Sequence, residues 1–245
     1  MEILIFFISL IAAFLFALGG VGAAIILIPI LVSLGIPVNT AKPVGLFFNT
    51  VSLTGATAHN IRQKRMDFRA GLPIIIFSFV FAIAGAYLSK FIPVRVVLIL
   101  FIAFLLFSGF MFLFHKKKDD GDYRDDAPWF RLSLTGALAG LLSGLLGIGG
   151  GGIISPLLLM MGFHPKKITV ITAFVVPFSS FSGFLTYWAM GTVDWKILAI
   201  ASAGGLIGAT LGTQVMHRHI DHNIVKKILA VILLIMAVKL ILKIL

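Results

Sequence analysis

Gly144-Leu145-Leu146-Gly147-Ile148-Gly149-Gly150-Gly151-Gly152-Ile153-Ile154-Ser155-Pro156 decides how this chain is read, because an apolar run so rich in glycine does not continue as one helix. Glycine costs up to about 1 kcal/mol in a helix interior, so a turn is expected there, between short apolar segments at 131–146 and 149–163. A weaker copy, Gly19-Gly20-Val21-Gly22, leads to Pro29 between apolar segments at 3–18 and 22–35. The two copies belong to a longer repeat. Sliding the chain on itself by 127 residues without a gap superposes Gly20 on Gly147, Gly22 on Gly149, Pro29 on Pro156, Gly35 on Gly162, Phe47 on Phe174, Ser52 on Ser179, Asp67 on Asp194 and Gly85 on Gly212. Coincidences of glycine, proline and aspartate are rare in apolar sequence. Two homologous halves follow, 1–114 and 129–245, joined by a polar cytoplasmic linker at 115–128.

Outward from the glycine runs, each half carries three longer apolar segments, at 43–60, 70–89 and 94–114, then at 168–190, 196–216 and 222–244. Of the 245 residues, 60% are hydrophobic and 12% charged, and the mean hydropathy is +1.11. A soluble globule runs nearer 25% charged, and a membrane span needs about 20 apolar residues, so the chain is an all-α polytopic membrane protein. The N-terminal apolar run lacks the basic start of a signal peptide and has an internal counterpart, so it is read as part of the first half. The net charge of +11 sits between apolar runs, where it orients a membrane protein, and implies no nucleic-acid partner. No cysteine is present.

Orientation follows from the basic residues. If each glycine-interrupted pair makes an even number of crossings, each half crosses an odd number of times and the second half is inverted. Fourteen of the twenty Lys and Arg then share one side, in the loop of Arg62, Lys64, Arg65 and Arg69, in the linker up to Arg131, at Lys166-Lys167, and at Arg218, Lys226 and Lys227. Lys42, Lys90, Arg95, Lys196, Lys239 and Lys243 take the other. By the positive-inside rule, both termini are expected outside a cell membrane, with two inverted-topology repeats of one short pair plus three full spans each. Such repeats are transporter architecture, with the substrate at the repeat interface beside discontinuous helices.

The expected site is built from those breaks. A short helix that starts at glycine presents free backbone N–H groups and a positive dipole end to an anion, which nominates Gly20, Gly22, Gly147, Gly149 and Gly150. Pro177 removes a helical hydrogen bond inside a span, so a broken or kinked helix is expected there beside Ser179 and Ser180. In the first half, Asn49 and Ser52 share a helical face as neutral donors. Gly204, Gly208 and Gly212, spaced by four, are read as packing glycines. The nine carboxylates lie at ends, loops or the linker, so no acid pair inside the membrane is available for catalysis or cation coordination. His59 is the internal titratable candidate. His217, His219 and His222 belong to a basic loop, and no metal site, cofactor or enzyme activity is expected.

The run Gly144–Pro156, the following Gly162-Phe163-His164-Pro165-Lys166-Lys167, the Ser179-Ser180 pair and the turn Gly191-Thr192-Val193-Asp194-Trp195 resemble the sulfite exporter TauE/SafE family of membrane permeases. The resemblance covers essentially the whole chain. It implies transport of small sulfur-containing anions such as sulfite, sulfonates or related organosulfur acids. An anion channel of the same architecture and a proton-coupled importer remain the alternatives. The first half departs from the family pattern at Ala23, Ala24 and Ile25, and at Lys42-Pro43, where Lys42 is expected as a fixed cation close to one entrance.

Overall fold

The computed structural model describes residues 2–17, 22–63, 67–114, 123–124, 126–216 and 222–244. Among these residues ten helices and no strands occur: α1 (Glu2–Ala17), α2 (Ala24–Ser33), α3 (Val38–Arg62), α4 (Phe68–Leu88), α5 (Val94–Phe114), α6 (Trp129–Leu146), α7 (Gly151–Met160), α8 (Pro165–Ala189), α9 (Trp195–Met216) and α10 (His222–Ile244). Adding 127 to the bounds of α2 and α3 gives the bounds of α7 and α8. The repeat legible in the glycines and prolines is therefore a repeat of elements.

Five of these helices are long and apolar enough to cross a membrane: α4, α5 over Val94–Met111, α6, α8 and α9. The set differs from the expected spans in three ways: α6 joins it, and α3 and α10 are not among the five. At 18 residues α6 itself reaches span length, whereas α1 has 16 residues and α2 and α7 have 10 each. At 25 residues α3 is long enough, but Asn49, Thr50, Ser52, Thr54 and Thr57 make it too polar to qualify by composition. It does not need lipid contact, because it lies against α8, α9 and α2.

Apolar surface is distributed as a bilayer requires. Ile76, Val80 and Ile83 of α4, Ile99 and Phe107 of α5, Leu206 and Leu211 of α9, and Val231 and Ile235 of α10 are exposed, as suits helices whose solvent is hydrocarbon. By contrast α2 and α7 are buried along most of their length, from Ala24 to Val32 and from Gly151 to Leu158. The two short helices are thus wrapped by the long ones.

The halves interlock. α1 packs on α9 and α4 on α6; α3 lies on α9 and α4 on α8; α3 meets its own counterpart α8, and α5 meets α10. Every contact between halves recurs with the halves exchanged. Glycine makes the closest of these contacts possible. A Cβ at Gly136 or Gly140 would lie 2.6 Å from the Ile74 carbonyl oxygen or drive into the Ser78 carbonyl, and Gly144 is seated in the same way on Ala82. On α9, Gly204, Gly208 and Gly212 sit on the Phe6, Leu10 and Phe14 carbonyls of α1, which is the packing role expected of that trio. The stripe on α6 escaped sequence reading because its equivalents in α1 are Ser9, Ala13 and Ala17.

These contacts also fix helix directions. Rising numbers on α6 meet rising numbers on α4, so the pair is parallel, as are α9 and α1. Across α3 and α8 the order reverses. Phe47 stacks on Phe184 with ring centroids 4.8 Å apart, Thr50 Oγ1 donates to the Pro177 carbonyl at 3.5 Å, and Thr57 Oγ1 donates to the Ala173 carbonyl at 2.6 Å. Equivalent helices therefore cross antiparallel. The Ser182 hydroxyl donates to the Phe79 carbonyl while Phe174 faces Phe68, so α8 runs parallel to α4 and hence to α6. The short α7 carries the chain back between them.

The ends of the elements follow local rules. Asp67 and Asp194, equivalent in the repeat, cap α4 and α9 as expected, the Asp67 carboxylate accepting from Arg69 and Ala70 and that of Asp194 from Lys196 and Ile197. Lys167 bridges to Asp67 at 2.7 Å and ties the first half to the second. Burial works to raise the Asp67 pKa, but the Lys167 ammonium and the capping N–H groups outweigh it and hold the carboxyl below its ordinary range. At the end of the linker, the Arg124 N–H donates to the Gly162 carbonyl and the Tyr123 ring meets His164. Most of the expected linker, together with His217 and His219, lies outside the described residues.

Candidate functional site at the break between α6 and α7

α6 ends on Gly147, whose φ of +81° is the left-handed conformation that suits glycine, with its N–H donating to the Ser143 carbonyl at 2.8 Å. Gly149 also has positive φ, +69°. Gly150 caps α7 with no side-chain hydrogen bond, and its carbonyl accepts from Ile153 and Ile154. The N–H groups of Gly149, Gly150, Gly151 and Gly152 donate to nothing among the described residues. All four glycines are buried. Unpaired N–H groups inside a protein are costly, and here four successive ones lie at the positive end of a helix.

The first half solves the same problem differently. The α2 N-terminus is capped from inside by Asn49, whose Oδ1 accepts from the Ala24 N–H at 3.0 Å, while its Nδ2 donates to the Ile148 carbonyl at 2.7 Å. One fully buried side chain thus binds both breaks. Its equivalent in the second half is Val176, which offers no cap to α7. Of the N–H groups that start α2 one is thus capped, whereas the start of α7 has no such cap and its break is the open one.

Around the open break stand the other expected residues. A Cβ at Gly149 would collide with Asn49 and lie 2.7 Å from Ser180 Oγ; one at Gly22 would lie 2.6 Å from Asn49 Nδ2. Ser180 is wholly buried and its hydroxyl has no partner; the buried Ser143 hydroxyl, one helical turn before Gly147, has none either. Ser179 and Ser52 spend their hydroxyls on their own helices, at the Val176 carbonyl (3.2 Å) and the Phe48 carbonyl (2.7 Å). Gly20 lies outside the described residues. The structure therefore brings together Gly22, Asn49, Gly147, Gly149, Gly150 and Ser180, and turns Ser52 and Ser179 to helix carbonyls.

Two expectations are corrected by this geometry. α8 continues unbroken through Pro177, because the Ala173 carbonyl that Pro177 deprives of its N–H accepts the Thr57 hydroxyl instead. Thr57 was not singled out in the sequence; the spacing of a proline and the carbonyl four residues before it was the available signal. Lys42 does not line an entrance. It is 0% exposed, its stem lies on Gly147, where a Cβ would be 2.6 Å from Lys42 Cα, and its ammonium has no hydrogen-bond partner.

The sulfite exporter TauE/SafE family matches this polytopic chain over residues 5–240. The chain belongs to that family. This member is 26% identical to a probable membrane transporter protein of Bacillus subtilis, YunE, over 95% of this chain and 94% of the relative. It is 30% identical to a probable membrane transporter protein of Methanocaldococcus jannaschii over 77% of this chain and 73% of that protein. Over 35% of its length it is 38% identical to sulfite exporter TauE/SafE family protein 6 of Arabidopsis thaliana, of which 20% is covered. It is a multi-pass membrane protein of a transporter family, whose setting is lipid and a small substrate.

Proposed function

We infer that this protein is a permease for small sulfur-containing anions such as sulfite or sulfonates, which pass through the α6–α7 break as its two halves alternate in access. The observation that carries this reading is the row of four free N–H groups at Gly149–Gly152, with the unpartnered Ser180 hydroxyl beside them. Donors without a charge of their own stabilise an oxyanion at a helix N-terminus. The family's name supplies the chemical class. The antiparallel crossing of α3 and α8 and the return of the chain through α7 support inverted halves, residues 1–114 and 129–245, with both termini outside a cell membrane.

Direction follows from voltage. A monovalent anion leaving an inside-negative cell gains about 2.3 kcal/mol per 100 mV, roughly a fortyfold concentration ratio at 1.4 kcal/mol per decade. Export then needs no coupled cation. Proteoliposomes containing the protein are expected to take up or release sulfite and methanesulfonate with saturable, potential-driven flux that persists without sodium or proton gradients. Unsaturable flux would instead identify a channel, and electrically silent flux that stops on collapse of a proton gradient a coupled importer.

A further inference from the structure

Lys42 is the one charged residue with a fully buried side chain among the described residues. Its ammonium has no hydrogen-bond partner, and the described carboxylates in salt bridges, at Glu2, Asp67 and Asp126, have side chains 28–61% exposed. An uncompensated charge at membrane depth is costly and marks a functional position. The fold itself does not demand it. The equivalent residue in the second half is Thr169, half-buried and donating to the Pro165 carbonyl, and α8 forms over the same span as α3 with that threonine in place.

What Lys42 touches gives it a role. Its stem packs on Gly147, the first residue of the open break, and Gly149, two residues on, faces Ser180 and Asn49. The stem of a buried lysine at one end of the loop, and N–H groups without a partner among the described residues at the other, thus belong to one three-residue frame.

We propose that the Lys42 ammonium is the built-in counter-ion of the translocation site, and that the site takes small singly charged oxyanions of the sulfonate and hydrogensulfite type in preference to dianions such as sulfate. This rests on the permease reading and names its substrate class. One buried cation neutralises one charge. A dianion would leave a charge uncompensated in low dielectric and is disfavoured by that desolvation cost, whereas a neutral solute would leave Lys42 as it is and gain nothing from it.

The test uses purified full-length protein in detergent, with methanesulfonate, whose charge is fixed at one, against sulfate at matched ionic strength. Wild type is expected to bind methanesulfonate at least tenfold more tightly than sulfate and to melt at a higher temperature when it is present. Lys42→Met, close in shape and uncharged, is expected to melt higher than wild type without ligand, yet to lose at least tenfold in methanesulfonate affinity; Lys42→Arg is expected to retain binding. Lys42→Gln serves if the methionine variant does not fold. Sulfate binding as tight as methanesulfonate in wild type, or wild-type methanesulfonate affinity in a Lys42→Met or Lys42→Gln variant, overturns the inference. Loss of this inference alone leaves anion flux in wild-type proteoliposomes intact, whereas a wild type that moves no anion defeats the permease reading itself.

Discussion

Asn49 was nominated as an anion donor, and its two amide atoms are both engaged with backbone, at Ala24 and Ile148. Its work is to hold the two breaks against each other. Asn49→Ala would orphan a buried N–H and a buried carbonyl, at about 1–3 kcal/mol each, so a loss of roughly 2–6 kcal/mol in stability is expected by denaturation in detergent, with transport falling in step. Transport lost at wild-type stability would return Asn49 to direct anion contact. Gly149→Leu acts differently. It forces a side chain into a positive-φ position and against both Asn49 and Ser180, and insertion into the membrane with complete loss of flux is expected. Normal flux from Gly149→Leu would remove the glycine site. The glycines at the break were legible because the close approach of Asn49, Ser180 and Lys42 leaves no room for a side chain. Lys42 was not, since nothing in a sequence distinguishes a lysine one turn into a helix at the bilayer surface from one buried under a neighbouring loop.

At the level of elements, segment positions could be read to within a few residues, because apolar runs broken by glycine, proline and charge coincide with helix ends. What could not be read was which carbonyl a distant hydroxyl would rescue, as Thr57 does for Ala173 beneath Pro177, since that depends on the α3–α8 crossing. The α1–α9 seam carries a prediction. A Cβ at Gly208 would drive into the Leu10 carbonyl, so Gly208→Ala is expected to lower stability by about 1–3 kcal/mol with little change in the apparent Michaelis constant. A shifted constant at unchanged stability would place α9 in the substrate path. The α4 cap carries another. Because the folded-state pKa of Asp67 lies below its ordinary value of 3.8, its contribution is fully present at neutral pH and is lost as pH falls through that depressed pKa. Asp67→Ala should therefore cost about 1 kcal/mol at pH 7, and the gap from wild type should narrow as pH falls below the ordinary value of 3.8. A gap independent of pH would mean that the carboxylate charge contributes nothing.

For the whole molecule, the repeat of elements could be read from the 127-residue register, and the orientation proposed for it rests on the fourteen-to-six division of basic residues. The absence of native cysteine allows a direct check. Single cysteines at Gln63 and Lys167 are expected to react with impermeant reagents from the cytoplasmic side, and one at Thr192 from outside; labelling of all three from one side would remove the inversion. The seams described above bear on where such a chain comes from. Each half lends its first helix to the fourth helix of the other, so neither half has a finished surface alone. A lone half could bury its seams only against a second copy of itself turned over in the bilayer, in an isologous contact where each copy gives what it receives. The present chain thus has the form of an antiparallel homodimer fused through its linker. Fusion freed the two copies of each position to diverge, and Asn49 opposite Val176 and Lys42 opposite Thr169 are places where they did: a symmetric pair of subunits would have to carry two buried lysines or none.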